Sequence, residues 1–199
     1  MIVKTAQHYD LLIEENNDPV HDSPALKAYM EQWDGSVFLD SLKLSGDKSV
    51  LEIGMGTGRL AIKTAPLCKS YTGIDISPKT IEKARLNLSA LTDRISLICD
   101  DFVSHSFLQK YDVIYSSLTF MHIKEKQKAI DTVSKLLNHG GIFVLSLDKN
   151  RNRFIDFGNR KVKVYPDSPE KTIRYITCAG LTVQNLSETK FAHIITAVK

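Results

Sequence analysis

Residues 50–62 read VLEIGMGTGRLAI, with Gly54, Gly56 and Gly58 at alternate positions directly after an apolar run. Glycine in such a turn admits backbone angles closed to other residues and lets a ligand approach the main chain. A carboxylate, Asp75, ends the next apolar run about 20 positions further on, the distance at which an acid accepts hydrogen bonds from a ribose diol. Glu52 lies just before the first glycine. A glycine turn with an acid at that distance is chemistry for an adenosine-bearing ligand. Two candidates remain, a dinucleotide and S-adenosylmethionine.

The elements that must position these groups follow from the pattern of apolar residues. SVLEIG (49–54) reads as a buried strand and RLAIKTAPLCK (59–69) as a helix bent or ended near Pro66. SYTGIDI (70–76) is a second strand. Ser77-Pro78 supplies an N-cap and a first-turn proline for a helix over KTIEKARLNLSAL. RISLIC (94–99) and YDVIYSSL (111–118) read as strands three and four. The stretch 124–141 carries apolar residues at 129, 130, 133, 136 and 137, one helical face, with His139 and Gly140 at its expected end. IFVLSLD (142–148) is a fifth strand.

Strands alternating with helices imply a parallel sheet with right-handed crossovers and helices on both faces. The end of the chain breaks that rhythm. Ser168-Pro169 caps a helix to about Cys178, and LTVQNLSE and HIITAVK follow with no helix between them. Such neighbours pair antiparallel, because a parallel pair needs a long crossover. Residues 1–44 precede the sheet. Asp22-Ser23-Pro24 opens a helix with Leu26, Met30 and Trp33 on one face, read as a helical cap or lid over a core spanning 45–199, all within a single domain.

Three features separate the two ligands. The dinucleotide turn is GxGxxG, and here the spacing is GxGxG. Glu52 beside the turn is poorly matched to a pyrophosphate and suits a ligand bearing an ammonium and a sulfonium. The antiparallel terminal hairpin is foreign to the dinucleotide fold. On VLEIGMGTG (50–58), YTGIDIS (71–77), ISLICDDF (95–102), YDVIYSSLTFMHI (111–123) and LNHGGIFVLSLD (137–148), the chain resembles the class I S-adenosylmethionine-dependent methyltransferases. The resemblance implies an α/β, Rossmann-like three-layer sandwich. Its seven-stranded, mostly parallel sheet would have an antiparallel last strand, with the N-terminal helical cap added.

The resemblance also implies roles. Glu52, Gly54, Gly56 and Gly58 would line the methionine part of the cofactor. Asp75 would hold the ribose, Ile76 would pack on the adenine, and Asp101 with the Phe102 backbone would meet the adenine amino group. Ser116, Ser117 and Leu118 would lie along the cofactor, and Tyr9 would close over it. His122 follows the fourth strand and is a candidate base, imidazole titrating near neutrality. Each has a plainer reading: Asp75 as a helix cap, Asp100 as a solvated carboxylate, His122 as a structural histidine, and the phenylalanines and cysteines as core.

Composition narrows the partner. The 199 residues carry a net charge of +3, too mild to argue for nucleic acid. No apolar run approaches the ~20 residues that span a bilayer, and the start lacks the features of a signal peptide. Cys68, Cys99 and Cys178 are expected to be reduced, buried thiols of a cytoplasmic protein. The histidines form no metal-binding spacing. Ser116-Ser117-Leu118-Thr119 stands where amino-nitrogen methyltransferases often carry (Asn/Asp)-Pro-Pro-(Tyr/Phe), and Ser116 is not the acid that magnesium-dependent members need. The expected partner is a small-molecule acceptor between Tyr29, Met30 and Trp33 of the cap, Phe120-Met121-His122, and a hairpin at 149–166. That hairpin has six Lys or Arg against one Asp, reading as a solvated edge or an anion contact. The alternatives are a cofactor-binding domain without turnover and an NAD(P)-dependent oxidoreductase.

Overall fold

The apolar runs at 49–54 and 111–118 lie side by side at the centre of the sheet. The computed structural model describes residues 1–199, the side chain of Thr92 excepted. The first two-residue strand, β1 (Ile2–Val3), lies outside the main sheet. The main sheet is built from β2 (Ser49–Ile53), β3 (Ser70–Asp75), β4 (Ile95–Cys99), β5 (Tyr111–Ser116) and β6 (Leu137–Asp148), with β9 (Thr182–Glu188) and β10 (Ala192–Val198). Strands β7 (Phe154–Asp156) and β8 (Lys161–Lys163) belong to a second sheet. The seven strands run in the order β4-β3-β2-β5-β6-β10-β9. β10 is antiparallel to both β6 and β9, so the last strand alone opposes the direction of the others among the described residues. The expected seven-stranded sheet and its reversed last strand are present.

Successive residues of the central strands enter opposite cores, as a doubly covered sheet requires. Val50, Val113, Tyr115 and Val144 face one core with Phe38, Leu60, Ala61 and Ile81. Leu51, Ile114, Phe143 and Leu145 face the other with Ala129, Ile130, Val133 and Ile176. The helices behind these residues are α3 (Gly35–Ser41), α4 (Ala61–Thr64) and α5 (Pro78–Asn87) on the first face, and α6 (Lys126–Leu136) and α7 (Pro169–Cys178) on the second. With α1 (Thr5–Glu14) and α2 (Pro24–Met30), these complete the helices. All three Ser-Pro helix starts are capped as expected. Ser23, Ser77 and Ser168 accept from the backbone N–H of Leu26, Thr80 and Lys171.

Several elements depart from the sequence reading. The helix expected over 59–69 ends near Pro66 as expected, since Pro66 lacks the N–H that would carry it further, but it is shorter: four residues of α-helix and a 3-10 turn at Ala65–Leu67. The helix expected to reach Gly140 stops at Leu136. Leu137 pairs with Tyr111 in the sheet, and Asn138 donates to Asp112 at 2.7 Å, so strand pairing takes residues that periodicity gave to the helix. His139 is thereby an exposed strand residue. The run from Pro24 is two helices broken at Asp34-Gly35, where Gly35 has φ +59° and Asp34 caps α3. Cys68 is buried, but Cys99 and Cys178 are exposed, at a strand end and a helix end, and not in the core.

The lid is not confined to residues 1–44, nor is it purely helical. β7 and β8 form the basic hairpin, turning at Gly158, and β1 joins β8 in parallel to make a three-stranded sheet. The N-terminal segment and the hairpin therefore close over the main sheet as one unit. Tyr165, just past β8, donates its N–H to the Met121 carbonyl at 2.7 Å and ties that unit to the loop after β5. Lys126, buried at the start of α6, anchors the following segment through Asp167 at 2.8 Å.

Candidate active site

The strand order reverses between β2 and β5, and the turn leaving β2 opens there, where ligands bind in such sheets. Gly54 and Met55 donate their N–H groups to the Ile74 carbonyl at 2.8 and 3.2 Å, which pins the turn to β3. Gly54 and Gly56 have φ of +72° and +58°. Gly56 N–H donates to one oxygen of Asp75 and Ser77 N–H to the other, both at 3.0 Å. Each carboxylate oxygen keeps a further lone pair, and Asp75 borders a cavity of about 1100 Å³. Burial raises the Asp75 pKa above the ordinary carboxylate value. A Cβ on Gly56 would meet nothing within 4 Å, so the turn presents bare backbone to open space.

Glu52 borders the same cavity but is already engaged. The Tyr71 and Tyr115 hydroxyls both donate to its Oε2, the latter at 2.7 Å. Burial pushes its pKa up to about 7. The charged pair beside the turn is instead Arg59 and Asp34, a bond reinforced by Ser117, whose hydroxyl donates to Asp34 at 2.8 Å. Asp34 is buried, and the Arg59 guanidinium helps hold its carboxyl below the usual range against the cost of burial. Neither residue was singled out in the sequence. The signal was Asp34-Gly35, a cap and turn dipeptide interrupting a helical run.

Tyr9 and His122 meet across 113 positions of chain: Tyr9 Oη and His122 Nε2 lie 2.9 Å apart. Their rings stand edge to face, with centroids at 5.5 Å. α1 carries Tyr9, and a 3-10 turn, Phe120–His122, carries the histidine. Burial drives the His122 pKa down to about 4, with His8 and Lys126 adding to the fall. Burial, with the Asp75 charge behind it, drives Tyr9 well above its ordinary value. Both side chains are thus neutral at pH 7. His122 Nδ1 is buried with no hydrogen-bond partner among the described residues. Behind Tyr9, His8 accepts from Arg160 Nε at 2.9 Å, and Arg160 grips Glu15 with two bonds of 2.6 and 2.7 Å. This cluster fastens the basic hairpin to the helix that carries Tyr9.

The cavity wall includes Ile76, Asp101, Phe102, Ser117 and Leu118 among the expected cofactor residues. Leu118 has φ +58°, a strained angle for a non-glycine residue. Asp101 uses one carboxylate oxygen on its own turn, accepting from Val103 N–H at 2.9 Å. Two expected residues do not reach the wall. A Cβ on Gly58 would meet the Leu88 side chain at 3.1 Å, so this glycine serves packing against the residue that follows α5. Ser116 is fully buried, and its hydroxyl donates to the Ile53 carbonyl at 3.0 Å, bracing β5 on β2.

Of the expected substrate residues, Met30 borders the cavity, and Tyr29, Trp33 and Met121 do not. Tyr29 and Trp33 pack instead against Phe191 with tilted rings, at centroid distances of 5.6 and 4.6 Å, and Trp33 lies beyond the end of α2 at Met30. Met121 contributes the carbonyl that Tyr165 holds.

A family model described as a methyltransferase domain matches residues 51–143, which contain the glycine turn, Asp75 and His122. The chain is 36% identical over 103 residues to a malonyl-[acyl-carrier protein] O-methyltransferase of Priestia megaterium, covering 49% of this chain and 36% of that relative. It is 38% identical over 104 residues to a ribosomal protein L11 methyltransferase of Carboxydothermus hydrogenoformans, covering 51% and 33%. Over residues 51–143 these matches support a class I S-adenosylmethionine-dependent methyltransferase. The alignments span about a third of those methyltransferases' length.

Among solved structures, the N-methyltransferase NodS of Bradyrhizobium japonicum, bound to S-adenosylhomocysteine, superposes with a TM-score of 0.75. It is 22% identical, over 99% of both chains. The [4+2]-cyclase SpnF superposes equally well, at 0.75 and 16% identity over 100% of this chain and 97% of that one. These two share the fold. The residues of this chain fit the cofactor of such methyltransferases. The Asp75 oxygens have room for a diol, Ile76 and Phe102 offer apolar surface, and the glycine turn offers open backbone.

Proposed function

We propose that the chain transfers a methyl group from S-adenosylmethionine to a small-molecule acceptor, with the acceptor atom beside Tyr9 and His122. The observation that carries this reading is the 2.9 Å contact between those two side chains on the cavity that also contains the Asp75 cradle. The cofactor supplies an already activated methyl group. The chain's residues have the tasks of alignment and water exclusion, and fixed geometry contributes about 7–11 kcal/mol to such reactions. Asp75 and the Gly54–Gly56 backbone hold the cofactor end. α1 and the β7–β8 hairpin close the acceptor end, with Arg160 locking one to the other.

His122 is neutral and therefore able to accept a proton, and Tyr9 orients its imidazole. The reading takes residues 1–199 as one domain and the location as the cytoplasm. The three free cysteines, two of them exposed, fit a reducing compartment. No helix is long and apolar enough to cross a membrane among the described residues.

Formation of S-adenosylhomocysteine in the presence of a metabolite extract tests the reading. Tyr9→Phe and His122→Asn are each expected to lower kcat by about 10²-fold, the scale of general acid–base catalysis, with S-adenosylhomocysteine affinity by calorimetry nearly unchanged. The His122 ring signals in NMR should stay fixed between pH 6 and 8, since its pKa lies at about 4. A titration near 6.5 together with full activity of both variants would remove the proposed base. A second reading follows from SpnF, a cyclase on this same fold: the cofactor pocket could serve a reaction without turnover of the methyl donor. Cofactor binding with no S-adenosylhomocysteine formed from any extract would favour it.

A further inference from the structure

The charge of the cavity wall changes sign along its length. Around the cradle its acids are Asp22, Glu52, Asp75, Asp100 and Asp101, and the Arg59 charge there is matched by Asp34. Around the Tyr9–His122 pair the wall carries Lys4, Lys124 and Lys163. One acid, Glu125, stands with them, 4.0 Å from Lys128. None of the three lysines joins an ion pair among the described residues. The neighbouring lysines that do, Lys161 and Lys126, belong to Asp156 and Asp167.

Chain pairing explains how three distant lysines gather. Val3 sits opposite Val162 in the parallel β1–β8 pair, so Lys4 and Lys163 follow side by side. Tyr165, on the same face as Lys163 and 5.6 Å from its ammonium, is hydrogen-bonded to the Met121 carbonyl. Lys124 lies just beyond His122 on that loop. Three like charges on one concave wall repel each other, and such clefts concentrate ligands of opposite sign. The neutral Tyr9–His122 pair offers them no compensating charge.

Resting on the methyl-transfer reading above, we infer that the acceptor is a small organic anion whose acidic group is held by Lys4, Lys124 and Lys163. Its acidic group then lies at the lysine end, while the atom to be methylated faces Tyr9 and His122. A cationic acceptor would meet repulsion from the same wall.

The test incubates the protein with methyl-labelled S-adenosylmethionine and a metabolite extract divided on an anion-exchange resin. Label is expected in products of the retained fraction. It should fall about tenfold in the Lys4→Ala/Lys124→Ala/Lys163→Ala variant, the sum of three modest surface charge contacts. The matching triple arginine variant should recover most of it. S-adenosylhomocysteine affinity should stay within about twofold of the parent, because these lysines lie away from the acids of the cradle. Label only in the unretained fraction overturns the inference and leaves methyl transfer standing.

If neither fraction is labelled although S-adenosylhomocysteine binds, the methyl-transfer reading fails. The lysines are then judged by two fluorescent probes that differ in one sulfonate, 8-anilinonaphthalene-1-sulfonate and N-phenyl-1-naphthylamine. Tighter binding of the sulfonate, lost in the triple alanine variant, supports the anionic site. Equal binding of both probes overturns it.

Discussion

Gly54→Ala is expected to destabilise the protein by about 2–5 kcal/mol, from left-handed backbone strain and overpacking together. Two independent costs meet at one position. The residue has φ +72°, and an added Cβ would stand 2.0 Å from Thr119 Oγ1, 2.3 Å from its Cγ2 and 2.6 Å from its Cβ. Thr119 cannot simply rotate away, because its Cβ is itself in the way and its hydroxyl donates to the Ser117 carbonyl at 3.1 Å. A Tm drop of roughly 5–20 °C follows for a chain of this size, with loss of S-adenosylhomocysteine binding as the turn is forced off β3.

Thr119→Gly in the same chain should return the overpacking share and leave the strain. The two substitutions are therefore coupled by about 1–3 kcal/mol in a double-mutant cycle. Thermal unfolding and calorimetry check both. A Gly54→Ala protein with parental Tm and parental affinity would show that the turn does not rest on Thr119.

The same contact marks what was legible in the sequence and what was not. GxGxG, Asp75 and the alternating strands were readable because local spacing sets them: a turn needs glycine, and a strand buried on both faces needs a continuous apolar run. The Ser-Pro caps were readable for the same reason, since each acts within one helical turn. Thr119, Asp34 and Arg59 were not, because their partners lie 65, 83 and 25 positions away, and only the fold brings them together. Glu52 was read as facing the cofactor. Two tyrosines on neighbouring strands, Tyr71 and Tyr115, take its carboxylate from one side.

The lid shows the limit most clearly. Two residues of β1 and three of β8 are too short to register as strands, yet their pairing assembles the lysine wall and brings Tyr9 towards His122. Periodicity also misled at 137–141. Leu136 and Leu137 continue the helical face of α6, but Leu137 gains a sheet partner in Tyr111 that a helix could not offer.

Glu52→Gln is expected to make the protein more stable at pH 8 than its parent, by roughly 3 kcal/mol on the shift of its carboxyl from 4.5 to about 7. Because the folded value lies above the unfolded one, the native state binds this proton more tightly. Glu52 therefore favours folding fully below pH 4.5, and that contribution is lost as pH rises to about 7. Gln keeps an oxygen for the Tyr71 and Tyr115 hydroxyls and places its amide nitrogen where Oε1, free of hydrogen bonds, faces the cavity. The variant no longer titrates there.

His8 and His122 work in the opposite sense over part of the same range. Both are held neutral, with pKa values lowered to about 4, so their contribution is present above 6.5 and lost as pH falls. A single stability curve would mix the two trends. The difference between parent and Glu52→Gln curves removes the histidines, which both proteins share. That difference should be small below pH 4.5, widen to about pH 7 and then stay level, as measured by urea unfolding at each pH. Parallel curves from pH 5 to 8 would mean that Glu52 is ionised throughout, its charge held by Arg59 and the two tyrosine hydroxyls against the cost of burial.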